Sequence, residues 1–244
     1  MTLSEYFDRL EAPARTVTVY APPPRPDLVD RIATETGIDA VDYRELPEAT
    51  RDDQGFLVVR EDDAFVAAIG LPAVREFLEP PIVAPWAEGG DDSSYRRVIE
   101  VFETTVWSAL ERRQLLAISR EIESRAWRVG SGTLRVGFQR AAALEAMVPV
   151  YVRLAGESSL DVHVYIADDW DRPSVPGVTI HADAGSEIGG YWFLTFDGSG
   201  DQLWNSALLA RERDADSFEG YWTDDAHLVA TLERAILECA TDGA

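Results

Sequence analysis

Residues 160–166 (LDVHVYI) alternate strictly: Leu160, Val162, Val164 and Ile166 share one face, and Asp161, His163 and Tyr165 the other. That period predicts a strand buried on one side. Residues 178–181 repeat it briefly, and 191–196 (YWFLTF) are apolar on both faces, as a central strand is. Residues 203–211 and 218–223 read as two more strands, and 224–238 as a closing amphipathic helix. Nearer the start, 16–20 (TVTVY), 38–43, 56–59 and 65–69 read as strands, with Glu61-Asp62-Asp63 as a hairpin turn. Helices are expected at 27–36, after the turn APPPRP, and at 71–78, before Pro80-Pro81.

The helical period dominates the middle of the chain. Ser108 and Glu111 have the spacing of a capping box, and Gly130 stands where a C-terminal cap belongs. Between them Leu115, Ile118, Ile122, Ala126 and Val129 form one buried stripe, while Leu116 and Trp127 form a second. Such a helix is expected to have two packing partners. The turn Gly130-Ser131-Gly132 leads into a second expected helix over 133–147, and 149–156 add a further turn or two. The composition shift AEGGDDSS (87–94) suggests an N-terminal α/β region (1–86), a linker-like segment (87–107) and a helix-pair-plus-sheet domain (108–244). The fold class expected is therefore α/β (mixed α+β), a central helix pair packed on a mixed β-sheet. TVTVY beside DVHVY, and FLVV beside WFLTF, make two similar α/β halves a candidate repeat.

Composition narrows the class. With 46% apolar residues and seven Trp, eight Tyr and nine Phe, the chain can bury a core, which excludes wholesale disorder. No apolar run approaches the roughly 18–20 residues that a spanning helix needs. The start MTLSEYFDRL lacks a signal-peptide pattern, so the expectation is a soluble cytoplasmic protein with no membrane partner. The single Cys239 excludes an internal disulfide and a multi-cysteine metal site. Charge changes the picture more. Twenty-two basic residues face 44 acidic ones, a net charge of −22, and every basic residue is Arg. Self-repulsion of that size is relieved at high ionic strength, where the screening length falls to about 3 Å at 1 M salt. An acidic, lysine-free chain suits the cytoplasm of an extreme halophile. Most of its carboxylates then serve solubility, and DNA is an unexpected partner.

Familiar catalytic signatures are missing: no GxxxxGK[ST], GxGxxG after a strand, HExxH, CxxC or GxSxG occurs, and no cofactor motif is identified. His163 and His181 each lie opposite the apolar face of their strand, so neighbouring strands would bring both beside Asp161. Two His and a carboxylate can hold zinc or iron, but an ordinary polar layer under the helices explains them more simply, and no metal is assigned. The arginines are the sharper signal. Residues 109–156 carry eight Arg against four Glu, a net of +4, leaving −26 for the rest. On a helical wheel Arg113, Arg120 and Arg128 flank the small residues Ala117 and Ser124, an arrangement suited to an anionic ligand or an acidic partner surface. The alternative is that these arginines pair with the protein's own carboxylates. The candidate ligand- or partner-binding residues are Arg113, Arg120, Trp127, Arg128, Arg135 and His163, with no catalytic residue assigned.

The run RRQLLAISREIESRAWRVGSGTLRVGFQR from Arg112, followed by LDVHVY, Trp170, GVTIH, YWFLTFDG and GYWTDDAHLV, resembles the DICT sensory domain family, especially its haloarchaeal members. The resemblance spans about residues 108–235. It implies an α/β sensory domain that in bacteria is joined to diguanylate cyclase and two-component modules. It brings no catalytic residues. The function expected is a non-enzymatic sensory or signalling protein that binds a small anionic ligand or a signalling partner and acts through protein contact. The 109–129 helix is a candidate homodimer contact. Two alternatives stand beside this: a transcription regulator using a helix-turn-helix at 110–144, and a small-molecule enzyme with a His163/His181/Arg site.

Overall fold

The computed structural model describes residues 1–10, 15–35, 38, 40–47, 55–87, 94–103, 106–171, 173–214 and 217–242. A short helix α1 (Leu3–Asp8), closed by a capping box between Thr2 and Glu5, precedes β1 (Arg15–Ala21), α2 (Leu28–Glu35) and β2 (Ala40–Glu45). The hairpin β3 (Phe56–Glu61) and β4 (Ala64–Gly70) turns at Asp62 and Asp63, both at positive φ, which Asp tolerates better than most residues. These strands form one sheet in the order β2-β1-β3-β4. Two helices follow, α3 (Leu71–Leu78) and α4 (Ser94–Val101). The linker-like segment thus contains a helix that buries Tyr95, Val98 and Ile99; residues 88–93 and 104–105 of that segment lie outside the described residues.

The second sheet is built from β5 (Trp107–Glu111), β6 (Ser131–Phe138), β7 (Ser159–Ile166), β8 (Val178–His181), β9 (Tyr191–Phe196), β10 (Ser206–Asp214) and β11 (Ser217–Thr223). Their order is β5-β11-β10-β9-β6-β7-β8, so the doubly apolar YWFLTF strand stands at the centre, as its pattern predicts. Helices α5 (Arg112–Val129) and α6 (Ala141–Glu157) cover one face; α7 (Gly185–Gly189), α8 (Ala226–Asp242) and α1 cover the other. The mixed α+β class with helices on a mixed sheet is as expected. The first core runs continuously from Val17 and Val19 in the small sheet to Leu134, Val162 and Leu208 in the large one. Where they join, Phe77, Phe102, Trp107 and Trp222 form an aromatic cluster, and Trp222 Nε1 donates to the Ile99 carbonyl at 2.9 Å.

Both sheets contain the same four-strand arrangement. β1 is parallel to β2 and antiparallel to β3, which is antiparallel to β4; β6 is likewise parallel to β7 and antiparallel to β9, which is antiparallel to β10. TVTVY of β1 therefore matches LRVGF of β6 rather than DVHVY of β7, whereas FLVV and WFLTF do occupy matching strands.

Two boundaries in the helical middle differ from the sequence reading, and the strand expected at 203–211 begins only at Ser206, after a 3-10 turn over Gln202–Trp204. The long helix starts later, with Glu111 as its N-cap and Gln114 completing the capping box, because 107–111 pair with β11 as an edge strand. Gly130 ends it in the left-handed conformation as anticipated, at φ 73. Residues 133–138, read as the start of a second helix, belong instead to strand β6, which also takes in Ser131 and Gly132 of the expected turn, and α6 begins only at Ala141 and runs through Pro149 to Glu157. Leu134, Val136 and Phe138 face the core at a period of two, and both edges of the strand find partners in β7 and β9. This corrects the helix-turn-helix alternative: 110–144 is strand, helix, strand and helix start, with no second helix after the turn.

Candidate functional site

α5 lies over β6, β9, β10 and β11, whereas α6 lies over β6, β7 and β8. A cleft of about 430 Å³ lies between the two helices, floored by Gly137, Phe138, Trp192 and Leu194. On α5 the lining residues Arg112, Leu116, Ser119 and Glu123 follow at intervals of four, three and four, one face of a helix. On α6 the small side chains of Ala142, Ala143 and Ala146 leave the space open, with Met147 and Tyr151 further in. The start of α6 is held by Asp168, whose Oδ2 accepts from the Ala141 amide at 3.0 Å.

The inner end of the cleft holds a buried polar group. Glu123, 0% exposed, accepts a hydrogen bond from the Tyr151 hydroxyl at 2.8 Å and pairs with Arg120, whose Nη2 also reaches Met147 Sδ at 3.3 Å. Burial pushes the Glu123 carboxyl above its usual range, against the opposing pull of Arg120 and the Tyr151 hydrogen bond. Burial, then the facing Glu123, push the Tyr151 phenol up too. Beside them Trp192 Nε1 donates to Ser119 Oγ at 3.1 Å, and Ser119 donates to the Leu115 carbonyl at 2.9 Å. Arg112, Gln139, Arg140 and Glu212 also line the cleft; Arg112 and Arg140 are solvent-exposed and form its mouth.

The structure disperses the residues singled out from sequence. Arg113 Nε donates to the Pro80 carbonyl at 2.8 Å, tying α5 to the segment after α3. Arg120 is the one of the six that reaches the cleft's inner end, through Glu123 and Met147. Trp127 packs edge-on against Trp86 at 6.0 Å, with the Arg153 guanidinium over both rings. Arg128 lies 3.6 Å from Glu121 and over Trp204. Arg135 is on the opposite face of the sheet, 3.3 Å from Glu233 on α8, which also accepts from Thr195. Ala117 is 0% exposed, so it offers no open gap between guanidinium groups.

Two further polar groups organise the molecule. Glu121 lies 2.6 Å from Arg96 of α4 and 3.6 Å from Arg125, and Arg125 in turn is 2.6 Å from Asp224 before α8. Burial raises the Glu121 carboxyl despite these arginines. On the opposite face β7 and β8 are parallel neighbours, as the histidine argument requires. His163 Nδ1 and His181 Nε2 share a hydrogen bond at 3.0 Å, and His163 Nε2 meets Asp161 at 2.9 Å. Tyr165 stacks on His181 at 4.4 Å. Burial, then the charges of His163 and Arg135, lower the His181 pKa. Among the described residues no three His, Cys, Asp or Glu are grouped to hold a metal, and no helix is long and apolar enough to cross a membrane.

Sequence reasoning missed Glu123, Tyr151, Ser119, Arg112, Arg140 and Trp192. The one available signal was Glu123 itself, an acid on the flank of the apolar stripe and three residues after Arg120.

The family model described as "Sensory domain in DIguanylate Cyclases and Two-component system" (DICT) matches residues 92–213, half of the chain. No curated protein sequence matches. Among solved structures, polyphosphate kinase from Porphyromonas gingivalis is similar at 11% identity and a TM-score of 0.34, over 97% of this chain and 46% of that one. The chain therefore spans less than half of that enzyme, and a likeness at this level carries no functional argument.

Proposed function

The chain belongs to the DICT family of sensory domains, and from that premise we propose that it senses a small molecule captured in the α5–α6 cleft. The observation that supports this is the cleft itself, a mostly apolar space of about 430 Å³ ending on a buried Glu123–Tyr151–Arg120 group. Preformed apolar clefts with a few convergent polar groups are the usual form of small-molecule sites. Its inner polar groups are committed to one another, which suits capture rather than turnover: Glu123 is held by Arg120 and Tyr151, and Ser119 by Trp192 and the Leu115 carbonyl.

The signal passes by contact with another protein. Occupying the cleft loads α5, and the far side of α5 is joined through Glu121 and Arg125 to α4 and to the start of α8. The lysine-free composition and net charge of −22 support a halophilic setting for this exchange.

Native mass spectrometry after incubation with a small-molecule extract of cells tests the reading. The unmodified protein should gain a stoichiometric adduct, and Ala146→Trp, which fills the cleft from its rim, should not. The same adduct on both proteins, or on neither, would sink it.

A further inference from the structure

Resting on the reading of the α5–α6 cleft as the ligand site, we infer that its ligand is an apolar, ring-bearing molecule whose buried head is an uncharged hydrogen-bond donor, a phenolic O–H or a heterocyclic N–H. At the inner end the side-chain donors are already used. The Tyr151 hydroxyl donates to Glu123 at 2.8 Å, the Trp192 indole N–H to Ser119 Oγ at 3.1 Å, and the Ser119 hydroxyl to the Leu115 carbonyl at 2.9 Å. Arg120 donates to Glu123 and to Met147 Sδ, and it stands outside the residues that line the cleft. Acceptor capacity remains on the same groups. A carboxylate has about four lone-pair sites, and a hydroxyl oxygen accepts more than one hydrogen bond. Among the described residues Glu123 accepts from Tyr151 through one oxygen and from Arg120 through the other, and Ser119 Oγ accepts from Trp192. Each keeps a place for one more donor.

Other heads do not fit. An ether, ketone or carboxylate only accepts, so at this end it faces acceptors and leaves its own polar atoms unpaired in an apolar site. A cationic head lacks a counter-charge, because Arg120 already pairs with Glu123, which is 0% exposed. The anionic ligand anticipated from the arginines has no place here either: Arg113 is bound to the Pro80 carbonyl, and Arg135 lies across the sheet. The walls set the body. Trp192 and Phe138 line the cleft with aromatic rings and Met147 with a polarisable thioether, while Ala142 and Ala146 make a low wall on α6. Such surfaces favour a flat ring. The space of about 430 Å³ falls within the roughly 300–1,000 Å³ of small-molecule sites and admits two fused rings.

Indole and benzofuran separate the head from the body. They share size and shape, but the N–H of one is an acceptor oxygen in the other. Benzofuran is the more apolar of the two, so partitioning alone would favour it. Calorimetric titrations at one fixed KCl concentration use the unmodified protein and Ala146→Trp, a change at an exposed position of α6 whose folding a melt checks. On the unmodified protein benzofuran should bind about tenfold more weakly than indole, the scale of one lost hydrogen bond to a buried acceptor. Ala146→Trp should weaken indole. If the two rings bind alike, or benzofuran binds better, and Ala146→Trp weakens both, the donor assignment is wrong and the cleft reading stands. If neither ring binds up to its solubility, the assignment of the ligand class falls, and the cleft reading keeps its own test against the cell extract. If indole binds but Ala146→Trp leaves it bound as before, the cleft is not the site, and both readings fall together.

Discussion

Gly137 of β6 and Phe193 of β9 stand opposite each other in register, and the Phe193 ring occupies the place where a Cβ on residue 137 would sit. A glycine that looks like a weakness in a helix is the residue that lets this strand accept an aromatic neighbour. Phe193 itself is fully buried in the core under α8. Gly137→Ala should therefore overpack that side of the sheet and cost about 1–3 kcal/mol, read from denaturant unfolding. Combining it with Phe193→Leu should recover part of the loss, since the ring is what the new methyl meets.

Glu121 should be a structural keystone. Its carboxylate faces Arg96, Arg125 and Arg128, and the first two side chains are nearly buried. Glu121→Ala leaves these cations without their shared partner and should destabilise the fold by about 3–5 kcal/mol. Arg135→Glu should also strike stability first, because it sets a second carboxylate against Glu233. A melt of either variant that matches the unmodified protein would mean these pairs contribute little.

Tyr151→Phe removes the hydroxyl donor to the buried Glu123 carboxyl. The expected loss is about 1–3 kcal/mol in thermal or denaturant unfolding, the cost of leaving a buried acceptor without its donor. The aromatic ring stays, so its edge-on contact with Phe138 is retained. Tyr151→Leu should cost more, because the ring contact is lost as well.

His181 gives a pH dependence of known sign. Its folded pKa is lowered, first by burial and then by His163 and Arg135, while Tyr165 stacks on the ring and Asp161 holds His163. The unfolded chain takes up the proton first, so the contribution to stability is whole above the ordinary histidine pKa of about 6.5. It is lost as the pH falls from there through the lowered folded value. Melting temperatures of the unmodified protein and His181→Gln should diverge between about pH 7 and 5, with the unmodified protein losing more.

Salt should raise stability. A net charge of −22 repels over about 10 Å at 0.1 M salt and only about 3 Å at 1 M, so the thermal midpoint should climb as KCl rises across that range. A midpoint that stays level would remove the halophilic interpretation of the composition.

Much of the secondary structure was legible because its cause is local. The alternation of 160–166 and the doubly apolar 191–196 led directly to β7 and to the central β9, and the stripe Leu115, Ile118, Ile122 and Ala126 to the buried face of α5. The misreading of β6 has a local cause too. Leu134 and Phe138 are four apart and fit a helix as well as a strand, so the period alone does not decide between them. Pairing with β7 and β9 decides it.

The sequence by itself determined the faces of most strands, the extent of the buried stripe on α5, the family string over residues 112–140, and the charge that the surface must carry. Each follows from the period or identity of neighbouring residues. Only the tertiary structure decided what the arginines do and where a ligand fits. Arg113 found the Pro80 carbonyl, Arg135 found Glu233, and Glu123 met Tyr151 from the next helix. The cleft exists because β6 is a strand inserted between α5 and α6, so the helices flank the sheet's midline without closing over it. Such contacts join residues tens to a hundred positions apart. Helical or strand periodicity carries no information about them, because it records which way a side chain points and not what it will meet.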